Sequence, residues 1–319
     1  MYFITNLVID MYDTINFKIS VEDVRNTDFL QETPCYIHNV ATHDYNGEQV
    51  VTGSLEGLNI SVSKNNVRVK DGSLCKWYLG DNLKSLGRDD TKKAIEKLSD
   101  TLHLPMHKAV ITRLDMALNI ITKYPTQVYF NHLGLLKHTQ RLEQPTGLYY
   151  NKNDIDLCFY DKIKEQKNKG YAIPELYDNR NVLRIEHRYK QRLKSNLGVE
   201  AVTSALLYDE AFYINIINRL KDTYNNINKI NIFTMNFKEI KGKQQFYKMG
   251  ILTSIEKYGL QNMINQITEA QLKGELTPKQ AYDLRQVVYQ ACKDEALTIK
   301  SDAITELDKK VIDGLRFYR

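Results

Sequence analysis

The stretch from residue 110 to residue 121 constrains the fold most, because its polar and apolar side chains alternate strictly. One face of an extended strand with this sequence carries Leu114, Met116, Leu118 and Ile120. The other face carries Arg113, Asp115, Ala117 and Asn119. An acid between a guanidinium and an amide, beside a small alanine, predicts room for a ligand or a metal above a sheet. Taken alone, the strand favours the alternative of an exposed face with a surface ion pair.

The periodicity of the chain changes near residue 195. Before it, short alternating segments are separated by turn signals such as Asn46-Gly47 and Asp71-Gly72, and residues 76–79 extend the predicted sheet. After it, the spacing of apolar residues is helical. The predicted helices span residues 89–103, 126–138, 199–224, 253–273 and 278–294. We therefore predict an α+β domain over residues 1–195 and a helical domain over residues 196–319.

Composition limits the classes of function. The 319 residues carry a net charge of +5, which permits a polyanionic partner without requiring one. The four cysteines lie far apart, without the paired spacing of a metal site, and are expected to be reduced thiols. The sequence has neither an apolar run long enough for a bilayer nor the pattern of a signal peptide, so we expect a soluble cytoplasmic protein that does not bind membranes.

Two later strands can add reactive side chains to the polar face of the central strand. Residues 157–162 place Tyr160 and Lys162 on one face, and residues 182–190 place Arg184, Glu186 and Arg188 on one face. An N-terminal strand could add Asn6 and Asp10. The alternation therefore predicts one sheet surface that combines carboxylates, cations and a tyrosine.

These residue types suit phosphoryl transfer on nucleic acid. Asp115, Glu186 and Asp10 are expected to hold Mg²⁺ or Mn²⁺, since hard divalent cations prefer carboxylate oxygens. Tyr160 is the expected nucleophile, and Lys162 and Arg184 are expected to stabilise charge on the phosphate. The alternative is a solvent face with ordinary cross-strand ion pairs. The co-occurrence on three strands favours the catalytic interpretation.

Other side chains are candidates for nucleic-acid contact. Arg113 and Arg188 are expected to bind phosphates, and Lys76 with Trp77, the single tryptophan, could stack on bases, although a core position is the alternative for Trp77. The basic and aromatic residues 238–248 could follow a DNA backbone or form a solvated helix start. Among the 21 tyrosines, those that rival Tyr160 as nucleophile are Tyr149, Tyr150 and, more weakly, Tyr189.

An ordered set of segments resembles the replication initiators of phages and plasmids named for the gene II and gene X proteins of filamentous phages. The set comprises residues 9–11, the Gly-Ser-x-x-Lys-Trp-x-x-Gly-x-Asn segment at 72–82, Arg-x-Asp-x-Ala at 113–117, Phe-Tyr-Asp-Lys at 159–162 with Glu165, and Leu-Arg-Ile-Glu at 183–186. It covers roughly residues 1–195. Leu74 stands where proline is usual, and the chain has no His-hydrophobe-His triplet, so carboxylates are favoured over a histidine pair as metal ligands.

The resemblance implies a fold related to the HUH endonucleases, with a central antiparallel sheet and flanking helices. It also implies rolling-circle replication: nicking of one strand of a DNA origin through a tyrosine, with a divalent metal, followed by rejoining. A host helicase and polymerase are implied partners. The alternatives are a non-catalytic origin-binding protein on the same fold and a relaxase-like mobilisation protein. The helical region is expected to aid origin binding and to be dispensable for the chemistry.

Overall fold

The computed structural model describes residues 11–24, 28–81, 83–84, 86–233, 238, 240–294 and 297–316. Asn6 and Asp10, which sequence reasoning placed on an N-terminal strand, lie outside the described residues. Within the described ranges, no helix combines the length and the apolarity needed to cross a bilayer.

Ten strands of the described chain form one antiparallel sheet in the order β2-β3-β4-β5-β1-β6-β10-β9-β8-β7. The strands are β1 (Tyr12–Ser20), β2 (His38–Tyr45), β3 (Glu48–Leu55), β4 (Leu58–Ser63), β5 (Asn66–Lys70), β6 (Val110–Thr122), β7 (Gln140–Gln144), β8 (Gly147–Asn151), β9 (Ile155–Asp161) and β10 (Asn181–Tyr189). β11 (Ile232–Phe233) and β12 (Thr298–Ile299) form a separate pair. The predicted central strand is confirmed as β6, which lies between β1 and β10.

Helices flank this sheet and fill the C-terminal third of the chain, which confirms the predicted fold class. They are α1 (Phe29–Glu32), α2 (Leu74–Leu79), α3 (Arg88–Leu102), α4 (Thr126–His132), α5 (Lys162–Asn168), α6 (Leu193–Leu197), α7 (Glu210–Asn225), α8 (Lys243–Tyr258), α9 (Leu260–Leu272), α10 (Pro278–Cys292) and α11 (Asp302–Arg316).

Local capping explains where the helices agree with the sequence and where they differ. Thr277 and Gln280 form the predicted capping box at the start of α10. By contrast, Thr253 lies inside α8, so the capping box predicted there is wrong. Residues 76–79 are helical and not a strand, because the Ser73 side chain accepts a hydrogen bond from the backbone N–H of Lys76 and so begins α2.

The main hydrophobic core does not follow the predicted division at residue 195. One cluster of buried side chains joins the sheet to α3, to α7 through residues such as Ile216, and to α11 through residues such as Leu307. Two smaller clusters join α8, α9 and α10. The predicted division stays a prediction, but two of the C-terminal helices, α7 and α11, share the main core with the sheet.

Candidate active site

The polar faces of three neighbouring strands meet as their alternation predicted. Asp115 of β6 stands opposite Arg188 of β10, and Arg184 of β10 stands opposite Tyr160 of β9. Glu186 lies between these two arginines, opposite Ala117 on one side and Cys158 on the other. A cleft of about 600 Å³ opens above this face, and its lining includes Tyr160, Asp115, Glu186, Arg113, Arg188 and Lys76.

Each of the two central carboxylates is held by an arginine of its own strand. Arg113 binds Asp115 through two nitrogens, Nε at 2.9 Å from Oδ1 and a terminal nitrogen at 2.6 Å from Oδ2. A terminal nitrogen of Arg188 lies 2.6 Å from a carboxylate oxygen of Glu186. The carboxylates are almost fully buried, whereas both arginine side chains are nearly a third exposed. The carboxylates are therefore fixed beneath cations that reach the solvent.

Burial raises the pKa of Asp115 to about 6. The hydrogen bonds from Arg113 lower this pKa, and the neighbouring charge of Glu186 raises it again. The charge of Glu186 therefore disfavours the ionised form of Asp115, and a cation bound near Asp115 would oppose that effect.

A third buried carboxylate, Asp13, was missed by sequence reasoning. β1 bulges so that Asp13 and Thr14 together stand opposite the single residue Asp115. The bulge turns Asp13 onto the polar face, where it accepts a hydrogen bond of 2.6 Å from the Ser73 hydroxyl. Neither periodicity nor residue type reveals such a bulge, although Ser73 lies in one of the segments that carry the family resemblance.

Arg184 is fully buried under the cleft and does not line it. One of its terminal nitrogens lies 2.7 Å from Oδ2 of Asp13, and another lies 3.4 Å from the amide oxygen of Asn119. Burial alone would raise the pKa of Asp13, but the charge of Arg184 opposes burial most strongly, and the pKa is lowered overall. Arg184 thus supports the floor of the cleft from beneath.

Tyr160 lines the cleft with its side chain partly buried. Burial raises its pKa well above the ordinary value, and the negative charges of Glu186, Asp13 and Glu165 add to this, whereas Arg184 opposes it. The free protein therefore holds Tyr160 as the neutral phenol.

The predicted placement of Lys162 beside Tyr160 on a strand is wrong. β9 ends at Asp161, whose side chain accepts a hydrogen bond from the backbone N–H of Lys164 and caps α5. Lys162 is the first residue of that helix and is fully buried, with Nζ 2.9 Å from Glu165. Burial lowers its pKa, and it does not line the cleft.

The rival tyrosines separate by face. Tyr149 lines the cleft, and its ring lies across Gly147, because a Cβ at Gly147 would come within 2.8 Å of the Tyr149 hydroxyl. Gly147 stands opposite Tyr160, so Tyr149 and Tyr160 are neighbours. Tyr150 and Tyr189 are buried on the other face, with the Tyr150 hydroxyl bonded to the Gly134 carbonyl. Within the cleft, Tyr149 is the rival that matters.

A protein-family model for the N-terminal region of the replication-associated gene II protein of phages matches residues 11–207, well over half of the chain. The chain belongs to this family. No curated protein gives a significant match. The match includes the cleft side chains described above, and it ends where the Tyr12 hydroxyl donates a hydrogen bond to the Leu207 carbonyl. Membership in this family of phage replication proteins supports a role as a replication initiator.

Two expected DNA contacts of this family member differ in exposure. Lys76 lines the cleft, with Nζ 3.6 Å from the centre of the exposed Tyr171 ring. Trp77 is only 7% exposed and packs in the main core, with Lys97 over its ring. Of these two residues, Lys76 is therefore the one that can contact a ligand in the cleft. The packing of Trp77 agrees with the alternative of a core position.

The donor set limits how a metal can bind. Among the described residues, no three His, Cys, Asp or Glu side chains are grouped to hold a metal ion. Asp115 and Glu186, two mutually repelling carboxylates in one cleft, do fit a hard cation such as Mg²⁺ or Mn²⁺. Such ions commonly take one or two carboxylates and complete their shell with water and substrate phosphate.

Proposed function

We propose that the chain starts replication by cutting one DNA strand in this cleft, with Tyr160 as the nucleophile. The observation that supports this most is the presence of the Tyr160 side chain in the same cleft as Asp115 and Glu186. A tyrosine can act as the nucleophile, two carboxylates can bind a divalent cation, and several cations can stabilise charge on the phosphate. This combination suits phosphoryl transfer better than it suits a face that only contacts solvent.

The cations of the cleft suit a phosphodiester. Arg113 and Arg188 keep part of their side chains exposed while they bind the carboxylates below. Lys76 has no carboxylate within ion-pair distance in the described chain. These three side chains would bind the non-bridging oxygens of the phosphate and stabilise the charge that develops there.

Asp115 and Glu186 would hold Mg²⁺ or Mn²⁺, and Asp10, outside the described residues, stays a sequence prediction as a third ligand. The ion would supply positive charge at the phosphate and favour the phenolate of Tyr160. Arg113 and Arg188 would then turn from the carboxylates towards the DNA. Lys162 and Arg184 are proposed as positioning residues, because both are buried beneath the cleft.

The covalent step exchanges one phosphate ester for another. The Tyr160 oxygen bonds to phosphorus while the bond from phosphorus to the 3′ oxygen breaks, and the 5′ end stays attached to the protein. The phenolic proton leaves to water, and the 3′ oxygen takes up a proton to become the hydroxyl that a polymerase extends. Attack by a 3′ hydroxyl on the phosphotyrosine reverses the exchange and rejoins the strand.

A non-catalytic DNA-binding protein is the second candidate. The arginine already bound to each central carboxylate favours it, because paired carboxylates are less available to a metal. A relaxase-like mobilisation protein would share the chemistry and differ in its DNA substrate. A host helicase and polymerase are proposed partners of an initiator.

The test is covalent capture of DNA from the origin of the replicon that encodes the chain. The wild-type chain should form a protein–DNA adduct on a denaturing gel in Mg²⁺ and none with a chelator. Tyr160→Phe should bind the DNA normally and form no adduct, because only the hydroxyl is lost. Tyr149→Phe, the matched change in the same cleft, should keep the adduct.

Loss of the adduct in Tyr149→Phe alone would move the nucleophile to Tyr149. Binding without adduct or nicking in the wild-type chain, at any Mg²⁺ or Mn²⁺ concentration, would establish the non-catalytic alternative.

A further inference from the structure

A second depression of about 580 Å³ lies beside the cleft on the same face of the sheet, and we call it the cationic groove. Its charged lining side chains are Lys18, Arg68, Lys70, Arg113 and Lys190, and no carboxylate of the described chain lines it. The cleft, by contrast, is lined by acidic and basic side chains in similar numbers. Arg113 lines both depressions, so the two lie next to each other.

Three cations of the groove carry uncompensated charge. In the described part of the chain, no carboxylate lies within ion-pair distance of Lys18, Arg68 or Lys70. Lys190 differs, because its Nζ lies 2.9 Å from Asp156. Unpaired like charges side by side repel one another, and a polyanion in the groove would remove that repulsion.

Strand geometry places these cations in a short row. Lys18 of β1 stands directly opposite Arg68 of β5, and Lys70 follows two positions along on the same face. A bulge in β6 lets both Thr112 and Arg113 line the groove instead of alternating. Side chains two residues apart on a strand are separated by about 7 Å, which is close to the spacing of phosphates in an extended nucleotide chain.

We propose that the cationic groove binds the backbone of single-stranded DNA next to the phosphate held in the cleft. The lining has cations but no exposed aromatic ring among the described residues, since its Phe17 is only 1% exposed. It should therefore bind phosphates without stacking on bases, so its contribution is independent of sequence and sensitive to salt. The identity of the polyanion as DNA rests on the proposed function.

The test removes the three unpaired charges from the full chain. The groove variant carries Lys18→Gln, Arg68→Gln and Lys70→Gln. The control variant carries Lys92→Gln, Lys93→Gln and Lys273→Gln, three exposed lysines that line neither depression. Binding of fluorescent oligothymidylates of about 5 and about 15 nucleotides is measured by anisotropy at several salt concentrations.

We expect the groove variant to bind the longer oligothymidylate at least about tenfold more weakly than wild type and to lower its salt slope by about 2, the value for three lost phosphate contacts. The shorter oligothymidylate, which can reach fewer of the groove cations while it occupies the cleft, should lose less affinity than the longer one. The control variant should match wild type. If Lys18→Gln prevents folding, the pair Arg68→Gln and Lys70→Gln, both at exposed positions, should give part of the same loss.

Equal affinities of the groove and control variants for the longer oligothymidylate would overturn the proposal. This result is distinct from a failure of the proposed function. A chain that never nicks DNA but loses length-dependent binding in the groove variant would refute only the nicking. A chain that nicks DNA and binds equally well as the groove variant would refute only the groove.

Discussion

The two faces of strands β6, β9 and β10 differ in what covers them. The face towards the cleft carries paired charges such as Asp115 with Arg113 and Glu186 with Arg188. The opposite face carries residues such as Phe159 and Ile185 and is covered by α7 and α11 in the main core. Burial of apolar surface stabilises a fold, whereas paired charges contribute little net stability. The cleft and the main core therefore occupy opposite sides of the same strands.

Arg184 combines features of both faces. Its strand register places it on the cleft face, yet it is among the largest of the fully buried side chains. Arg184→Met should lower the free energy of unfolding by about 3–5 kcal/mol, because Asp13 would keep its buried charge and lose its cation. Urea denaturation gives the value. The matched change Arg188→Met should cost less, because Arg188 is 28% exposed and lines the open cleft with Glu186, so water can take the place of the lost guanidinium.

A second substitution sharpens the interpretation of Arg184. Adding Asp13→Asn to Arg184→Met should recover part of the lost stability, since the uncompensated carboxylate is then gone. Equal costs for Arg184→Met and Arg188→Met would contradict the view that Arg184 belongs energetically to the core.

The face of the sheet that carries Phe159 and Ile185, which we call the helix-covered face, can be tested for its contribution to stability through α11. Leu307→Ala should lower the free energy of unfolding by about 2–4 kcal/mol, because it leaves a cavity in the main core where the side chain is fully buried. Affinity for single-stranded DNA, measured at a temperature where the variant is folded, should stay unchanged. Leu272→Ala at the exposed end of α9 is the control and should have little effect on either quantity.

The same variant tests the expectation that the helical region is dispensable for the chemistry. If α11 supports the sheet, a fragment of residues 1–195 loses part of the main core and should be less stable than the full chain. A Leu307→Ala chain as stable as wild type would instead favour a division near residue 195.

Alternation made much of the cleft face predictable. The sides of β6 and β10 follow from side-chain periodicity, so the sequence alone correctly grouped Asp115, Glu186 and Arg188. The bulge in β1 was not predictable, because one extra residue reverses the alternation and so hid Asp13. Lys162 was misplaced for a different reason: Asp161 caps a helix and ends the strand, which periodicity over six residues does not detect.

The C-terminal third shows the complementary limit. Sequence spacing identified helical character and the capping box at Thr277. It could not show that α7 and α11 pack on the sheet while α8, α9 and α10 pack with one another, because an apolar helix face does not reveal its partner. Tertiary packing, and not local propensity, decides that assignment.

The smallest effect concerns His187, which follows Glu186 in sequence but lies on the helix-covered face. Burial, with a smaller contribution from the charge of Arg219, lowers the pKa of His187 to about 4. The Tyr189 hydroxyl lies 3.3 Å from its Nδ1. The folded protein therefore takes up a proton at His187 less readily than the unfolded chain, whose histidines titrate near pH 6.5. His187 favours the folded state fully above that pH, and this contribution is lost as the pH falls towards 4.

Asp115 on the cleft face changes the stability of the folded state with pH in the opposite direction. Its pKa is raised by folding, so its protonation stabilises the folded state as the pH falls from above 6 towards 4. The pH dependence of wild-type stability therefore combines the contributions of His187 and Asp115. A comparison between a variant and wild type is needed to separate them. His187→Gln should remove the histidine contribution and leave that of Asp115.

We therefore expect the stability difference between His187→Gln and wild type to shift in favour of the variant by at most about 3 kcal/mol between pH 6.5 and pH 4. Urea denaturation across that range gives the difference. His138→Gln, at an exposed histidine outside the core, is the control and should give a difference that does not change with pH in this way. A pH-independent difference for His187→Gln would mean that the imidazole reaches solvent, and the two faces of the sheet would then not be as different as their packing indicates.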